Sequence, residues 1–220
     1  KNLKLDSREN SDVNKISTNN IKQWKRSEVI KDFRFYIIAM NMLGMPSIAT
    51  GVFVYQSFIV ASKNWGPFIF AQSFMVYSIL SVLTLSFSGF LIDKFTSRKL
   101  LIYMNLPLLL AVIVLIFFDS PISSFILLGL IGISNGFANV LGSSTWAEIY
   151  GIKYIGGIKA ITTAMMVFAT ATGAATFGIL IDGGYSIKFI ALVSGFYIGF
   201  SLLLLLFFRK TMEPTYINRP

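Results

Sequence analysis

Cysteine and histidine are both absent from the 220-residue sequence. Without cysteine there is no disulfide framework, thiolate metal site or cysteine nucleophile. Without histidine there is no imidazole base or ligand. Helix-borne H-E-x-x-H zinc sites and Ser-His pairs fall with them. Charge is also scarce: Asp, Glu, Lys and Arg make up 13% of residues, where a soluble domain uses roughly 25% to cover its surface. Hydrophobic residues fill 55% of the chain, with 21 Phe, and mean hydropathy is +0.69. Lipid is the solvent that this composition suits.

Six stretches have the ~20 apolar residues that a helix needs to cross a ~30 Å hydrocarbon core. They are 35–59, 68–92, 100–118, 122–146, 160–181 and 187–208, and apart from Lys188 at the very start of the last, none contains Asp, Glu, Lys or Arg. A charge at a helix centre costs at least ~2.5 kcal/mol even on lenient insertion scales, so their absence supports spanning. The connections are short and carry turn residues, such as Gly66-Pro67, Asp119-Ser120-Pro121 and Gly183-Gly184. Short connections make neighbouring helices antiparallel and predict a compact bundle.

The net charge of +9 is distributed by side. With the N-terminus placed in the cytoplasm, 17 Lys and Arg fall on the inner side and two, Lys63 and Lys188, on the outer side. This follows the positive-inside rule and speaks against nucleic acid as a partner. Three regions are expected: residues 1–32 as a solvated cytoplasmic linker, 33–210 as the six-helix bundle and 211–220 as a cytoplasmic tail. Trp24 to Arg34 could form a short amphipathic helix at the membrane surface. The start at Lys1 and the polar opening suit a piece cut from a longer protein.

Gly89-Phe90-Leu91-Ile92-Asp93 ends the second span, and Gly178-Ile179-Leu180-Ile181-Asp182 ends the fifth. Three helices separate the two copies, so the second must emerge on the opposite membrane face. That is the mark of an inverted-topology repeat, as secondary transporters use. The first copy continues as Lys94-Phe95-Thr96-Ser97-Arg98-Lys99. The whole run resembles the G-x-x-x-D-[RK]-x-x-x-R-[RK] loop of the major facilitator superfamily, which lies on the cytoplasmic side between the second and third helices of each half.

The resemblance implies an all-α membrane protein whose six helices form a 3+3 inverted repeat, the C-terminal half of a twelve-helix fold. It implies a secondary active transporter working by alternating access in a bacterial inner membrane, with both termini cytoplasmic. Residues 1–32 would then be the central loop joining the halves. In that reading Gly89, Asp93, Lys94, Arg98 and Lys99 lock one conformation and release it during transport. Asp93 would pair with an Arg or with the N-terminus of a neighbouring helix. Asp182 is the repeat-related carboxylate. The segments Thr50 to Gln56 and Ala147 to Gly151, with Gly156-Gly157-Ile158, look like bacterial organic-anion branches. Tyr55 stands where those branches carry a His, so no role carries over there.

Polar residues inside spans mark candidate paths. Asn135, Asn139, Ser143 and Trp146 recur on one face of the fourth helix. Asn41 and Tyr55 share a face of the first, with Gln56 beside it, and Gly44 and Pro46 between them predict a kink. The resemblance implies that these two helices line the central cavity. The alternative for each amide is interhelical hydrogen bonding. Glu148 and Lys159 flank the inner connection between helices four and five, as loop residues or as an ion pair across the mouth. Gly132, Gly136, Ala171, Ala175 and Gly178 suit close packing. No carboxylate lies mid-membrane, so no proton carrier is expected in these six helices.

The expected surroundings are a small-molecule substrate, the lipid bilayer and an N-terminal six-helix half. No metal, cofactor or catalytic residue is expected. A self-contained channel or homodimeric half-transporter is the alternative. A membrane-embedded enzyme would have only hydroxyls and amides to work with.

Overall fold

A backbone inside hydrocarbon must satisfy its own hydrogen bonds, and for a single apolar segment only the helix does so. The computed structural model describes residues 21–216, and its regular elements are helical. A four-residue helix α1 (Arg26–Val29) precedes α2 (Phe33–Val54), and α3 (Gln56–Lys63) follows. Then come α4 (Pro67–Phe95), α5 (Ser97–Phe117), α6 (Ile122–Tyr150), α7 (Ile155–Asp182) and α8 (Ile187–Phe207). The helices α2, α4, α5, α6, α7 and α8 are long and apolar enough to cross a membrane, the build of an integral membrane protein.

The boundaries differ from expectation in one place of consequence. The stretch 35–59 was expected as one span, but it breaks at Tyr55, with φ −101° and ψ 26°, and restarts as α3. Pro46 is accommodated inside α2. The break lies at a tertiary contact: the Tyr55 ring stacks on Phe177 of α7 with centroids 6.5 Å apart.

Packing runs chiefly between the first three spanning helices and the last three. The main pairs are α4 with α6, α5 with α6, α2 with α7, α5 with α8 and α2 with α8, whereas α4 and α5, or α7 and α8, touch little. Exchanging the triplet α2, α4, α5 for the triplet α6, α7, α8 maps this set onto itself. Two of the pairs are glycine seams. A Cβ at Gly132 would sit 2.5 Å from the Tyr77 carbonyl oxygen, and one at Gly136 would sit 2.7 Å from that of Ser81, so α4 and α6 meet backbone to backbone. In the α2–α7 seam a Cβ at Gly173 would collide with the Ser47 carbonyl, and one at Gly51 would lie 2.5 Å from the Phe177 ring. Gly178 makes room for the Tyr55 hydroxyl. Ala171 and Ala175, expected in close packing, are exposed.

Two apolar clusters fill the bundle. One includes Phe35, Met104, Trp146, Tyr150 and Leu205, the other Ile48, Leu108, Leu128, Phe177 and Ile190. Coverage is uneven, since 6% of the membrane-length window of α4 and 17% of that of α7 are buried, against 56% for α2.

The two ends of the bundle differ in charge. One, here the basic end, carries Lys94, Arg98, Lys99, Lys153, Lys159, Arg209 and Lys210. Residues 21–34 dock on it instead of standing off as a solvated linker. The Trp24 N–H donates to the Tyr150 carbonyl (3.0 Å), the Lys153 N–H to Gln23 Oε1 (3.0 Å) and the Lys22 N–H to the Thr215 carbonyl (2.7 Å). Arg34 pairs with Asp32 (2.7 Å) and donates to the Glu213 carbonyl (2.9 Å). Residues 1–20 and 217–220, within the expected linker and tail, lie outside the described residues.

At the opposite end the buried Lys63 ammonium reaches Asp119 Oδ1 (2.5 Å) and the Phe118 carbonyl (3.1 Å), and Lys188 lies 3.7 Å from the same carboxylate. The Lys63 ammonium, with Lys188 contributing less, holds the Asp119 carboxyl below its ordinary value of 3.8. The contribution of this pair to stability is therefore in place above that value. It is lost as pH falls through the lower folded value.

Gly132→Ala should force the α4–α6 seam apart and lower stability by roughly 1–3 kcal/mol. Gly199→Ala meets nothing within 4 Å and should be neutral or mildly stabilising through helix propensity. Melting of the two variants in detergent checks the contrast; equal melting temperatures would remove the seam from this account.

Candidate functional site

A cavity of about 460 Å³ opens between α2, α4, α6 and α7. α6 contributes Asn135, Asn139 and Ser143 to its wall, α4 contributes Tyr77, and α2 contributes Pro46 and Thr50. α7 supplies Lys159, Thr162, Thr163 and Thr170, recurring at helical spacing on one side. A larger groove of about 580 Å³ lies between α2, α7 and α8, but apart from Arg26, Ser47, Thr172 and Tyr197 its lining is apolar. The smaller cavity has the convergent polar groups that a solute site needs.

The amides of α6 serve two roles. Asn135 donates from Nδ2 to Ser81 Oγ of α4 (2.9 Å), so it fastens a seam while facing the cavity. Asn139 is exposed and donates to the Asn135 carbonyl one turn earlier (2.9 Å). Both expected readings, cavity lining and interhelical bonding, therefore meet in Asn135. Trp146 leaves the set. It is 1% exposed and packs between Phe35, at 5.1 Å, and Tyr150, at 6.0 Å. The α6 face continues to Trp146, but there α2 covers it with Phe35.

The α2 candidates do not gather at the cavity. Asn41 is fully buried, its carbonyl accepts from Asn105 Nδ2 of α5 (2.6 Å), and its own amide atoms have no partner among the described residues. It belongs to the α2–α5 contact. Tyr55 lies in the α2–α7 seam, and Gln56 is exposed beside a separate groove with Val60, Phe70 and Phe74.

The basic loop also differs from expectation. Glu148, in the last turn of α6, takes the place expected for Asp93. Its Oε2 accepts the Ser97 N–H (2.8 Å), the Ser97 hydroxyl and, at 3.3 Å, the Arg98 N–H, while Oε1 pairs with Arg98 Nε (3.1 Å). A carboxylate thus caps the positive N-terminus of α5. Glu148 does not pair with Lys159. Among the described residues the Lys159 ammonium makes no hydrogen bond or ion pair, and it is exposed at the rim of the cavity.

Asp93 is exposed and makes no hydrogen bond or ion pair among the described residues, and a Cβ at Gly89 would meet nothing within 4 Å. Lys94 lies over the Phe95 ring at 5.4 Å, and Lys99 is exposed. Asp182 closes α7 at the opposite end, also exposed. Between α4 and α5 stands one residue, Thr96, at φ 68°, a strained conformation for a β-branched side chain.

The α7 threonines, Tyr77, Ser81 and Asn105 were not singled out from the sequence. The spacing of Lys159, Thr162, Thr163, Met166 and Thr170 on one helical side is the signal that could have found the first group. In comparison with known proteins, no family model matches the chain and no curated protein matches it.

Glu148→Ala should leave the α5 N-terminus and Arg98 without their acceptor and cost about 1–3 kcal/mol. Arg98→Gln should cost less, because the bonds from Ser97 to Glu148 survive. Unfolding of the two variants in detergent gives the order, and the reverse order would show that the carboxylate does not cap α5.

Proposed function

We propose that this chain is the six-helix half of a secondary transporter of the major facilitator type, moving a small anionic solute through the cavity between α2, α4, α6 and α7. The observation that carries this reading is the polar cavity itself, with Lys159 as the one charged residue among its described lining residues. Its threonines, Asn135, Asn139 and Tyr77 supply hydroxyls and amides to orient a bound solute, and the ammonium favours a carboxylate or another anion. Among the described residues no counter-charge contacts Lys159, which is left for a ligand.

Three further features support the transporter reading. The packing pattern maps onto itself when the two triplets are exchanged, as expected of a 3+3 inverted repeat. The exchange also pairs α4 with α7, the two helices least covered within the chain. A second six-helix half seated on them would close the far wall of the cavity. Gly89 and Asp93, on α4, are then free to meet that half, where the resemblance puts its conformational lock. The positive-inside distribution of Lys and Arg supports a cytoplasmic side for the basic end.

Alternating access needs no cofactor and no covalent intermediate, and no enzymatic step is proposed. A homodimer of this chain is the second reading, favoured by the same uncovered faces of α4 and α7.

The test is uptake by the full-length protein in proteoliposomes, offered radiolabelled mono- and dicarboxylates beside neutral sugars and amino acids. Lys159→Gln should lower anion uptake by roughly tenfold or more, while Lys159→Arg retains part of it. Uptake of neutral solutes only, untouched by Lys159→Gln, would refute the anion assignment.

A further inference from the structure

At the basic end the start of α5 and the end of α8 lie side by side, and a recess of about 260 Å³ opens between them. Its floor is apolar, built from Ile102, Leu205 and Met212. After α8 the chain makes a 3-10 turn, Arg209–Met212, that buries Met212 to 3% exposure and sets Arg209 and Lys210 at the rim, with Lys99 of α5 among the same lining residues.

The rim holds more cation than its neighbours use. Arg98 also lines the recess but is held by Glu148 at 3.1 Å. Glu213 contributes the one carboxylate of the lining. Lys99, Arg209 and Lys210 are exposed, and their charged groups make no hydrogen bond or ion pair among the described residues. Beyond the rim the exposed side chains of the two helices are apolar, with Tyr103 and Leu106 on α5, and Leu203, Leu206 and Phe207 on α8.

A cationic rim above an apolar floor matches a molecule with an anionic head and a hydrocarbon tail. A free anion would use the rim alone. A zwitterionic lipid would bring an ammonium against the three cations. We propose that this recess binds an anionic phospholipid, its phosphate held by Lys99, Arg209 and Lys210 and an acyl chain lying over Ile102 and Leu205. The site is separate from the transport cavity and needs only that α5 and α8 cross a bilayer.

The test titrates the purified full chain in neutral detergent with dioleoyl phosphatidylglycerol, dioleoyl phosphatidylcholine and inorganic phosphate, each followed by native mass spectrometry and by melting temperature. Phosphatidylglycerol should bind and raise the melting temperature, and the other two should do neither at the same concentration. The triple variant Lys99→Gln, Arg209→Gln, Lys210→Gln should lose roughly tenfold or more in affinity for phosphatidylglycerol. The charge-keeping triple Lys99→Arg, Arg209→Lys, Lys210→Arg should retain it, and so should Lys25→Gln, Lys31→Gln, Lys153→Gln, which removes the same charge elsewhere at this end. Undiminished binding in the first triple, or equal loss in the last, would overturn the site. Displacement of the lipid by inorganic phosphate would make it a site for a free anion and overturn the lipid assignment.

Discussion

Where Gly132 of α6 meets Tyr77 of α4, one backbone lies against another with no space for a methyl group. Gly173 against Ser47 does the same for α7 and α2. Inside a bilayer the hydrophobic effect does not drive helices together, because lipid tails are as apolar as the helices. Dispersion contact and interhelical hydrogen bonds must do it, and both need close approach. Each seam joins a helix of one triplet to a helix of the other, so the two seams set the architecture. The cavity lies among the four helices they join, and Asn135 can line it while bonding Ser81 because the seam brings α4 within reach.

Charge does its work at the ends. Glu148 collects the α5 N-terminus and Arg98 into one cluster, and the segment from Ile21 to Arg34 ties the ends of α6 and α8 together through Tyr150, Glu213 and Thr215. At the opposite end Lys63 and Asp119 fasten α3 to the loop after α5. The membrane-crossing stretches between are left to packing and uncharged polar groups. Between the two ends lies the polar cavity, bordered by hydroxyls and amides of α2, α4, α6 and α7. Asp93 stays outside these clusters, exposed on α4.

Much of the fold was legible in the sequence because lipid imposes so few choices. Six apolar runs with no charge near their centres gave six helices, and their expected ends lie within five residues of those observed, apart from the break at Tyr55. That break has no local signal: no Gly or Pro adjoins Tyr55, and the ring contact with Phe177 comes from a helix more than a hundred residues later. Glu148 was visible as a charge near a helix end, but its partner was not. Helical spacing shows which residues share a face and says nothing of which helix lies opposite. The same gap explains Trp146. It sits on the predicted face of α6 with Asn135 and Asn139, yet α2 covers that face before the cavity reaches it. The tie between residues 21–34 and residues 213–216 joins two polar segments with no periodicity, so composition alone read the first of them as solvated.

The central claim is that one polar face of α6 borders a cavity that opens to water on alternate sides of the membrane. It is tested most directly by single cysteines at positions 135, 139 and 143 in the full-length protein, with any cysteine outside these 220 residues replaced by serine. A small membrane-impermeant thiol reagent is applied from each side in turn, with cysteines at 137 and 141 as controls. The account predicts reaction at the first three positions from either side, slowed by a transported solute, and little reaction at the controls. Unreactive cysteines at all three positions under conditions that permit transport would contradict it, leaving Asn135 and Asn139 as interhelical fastenings alone.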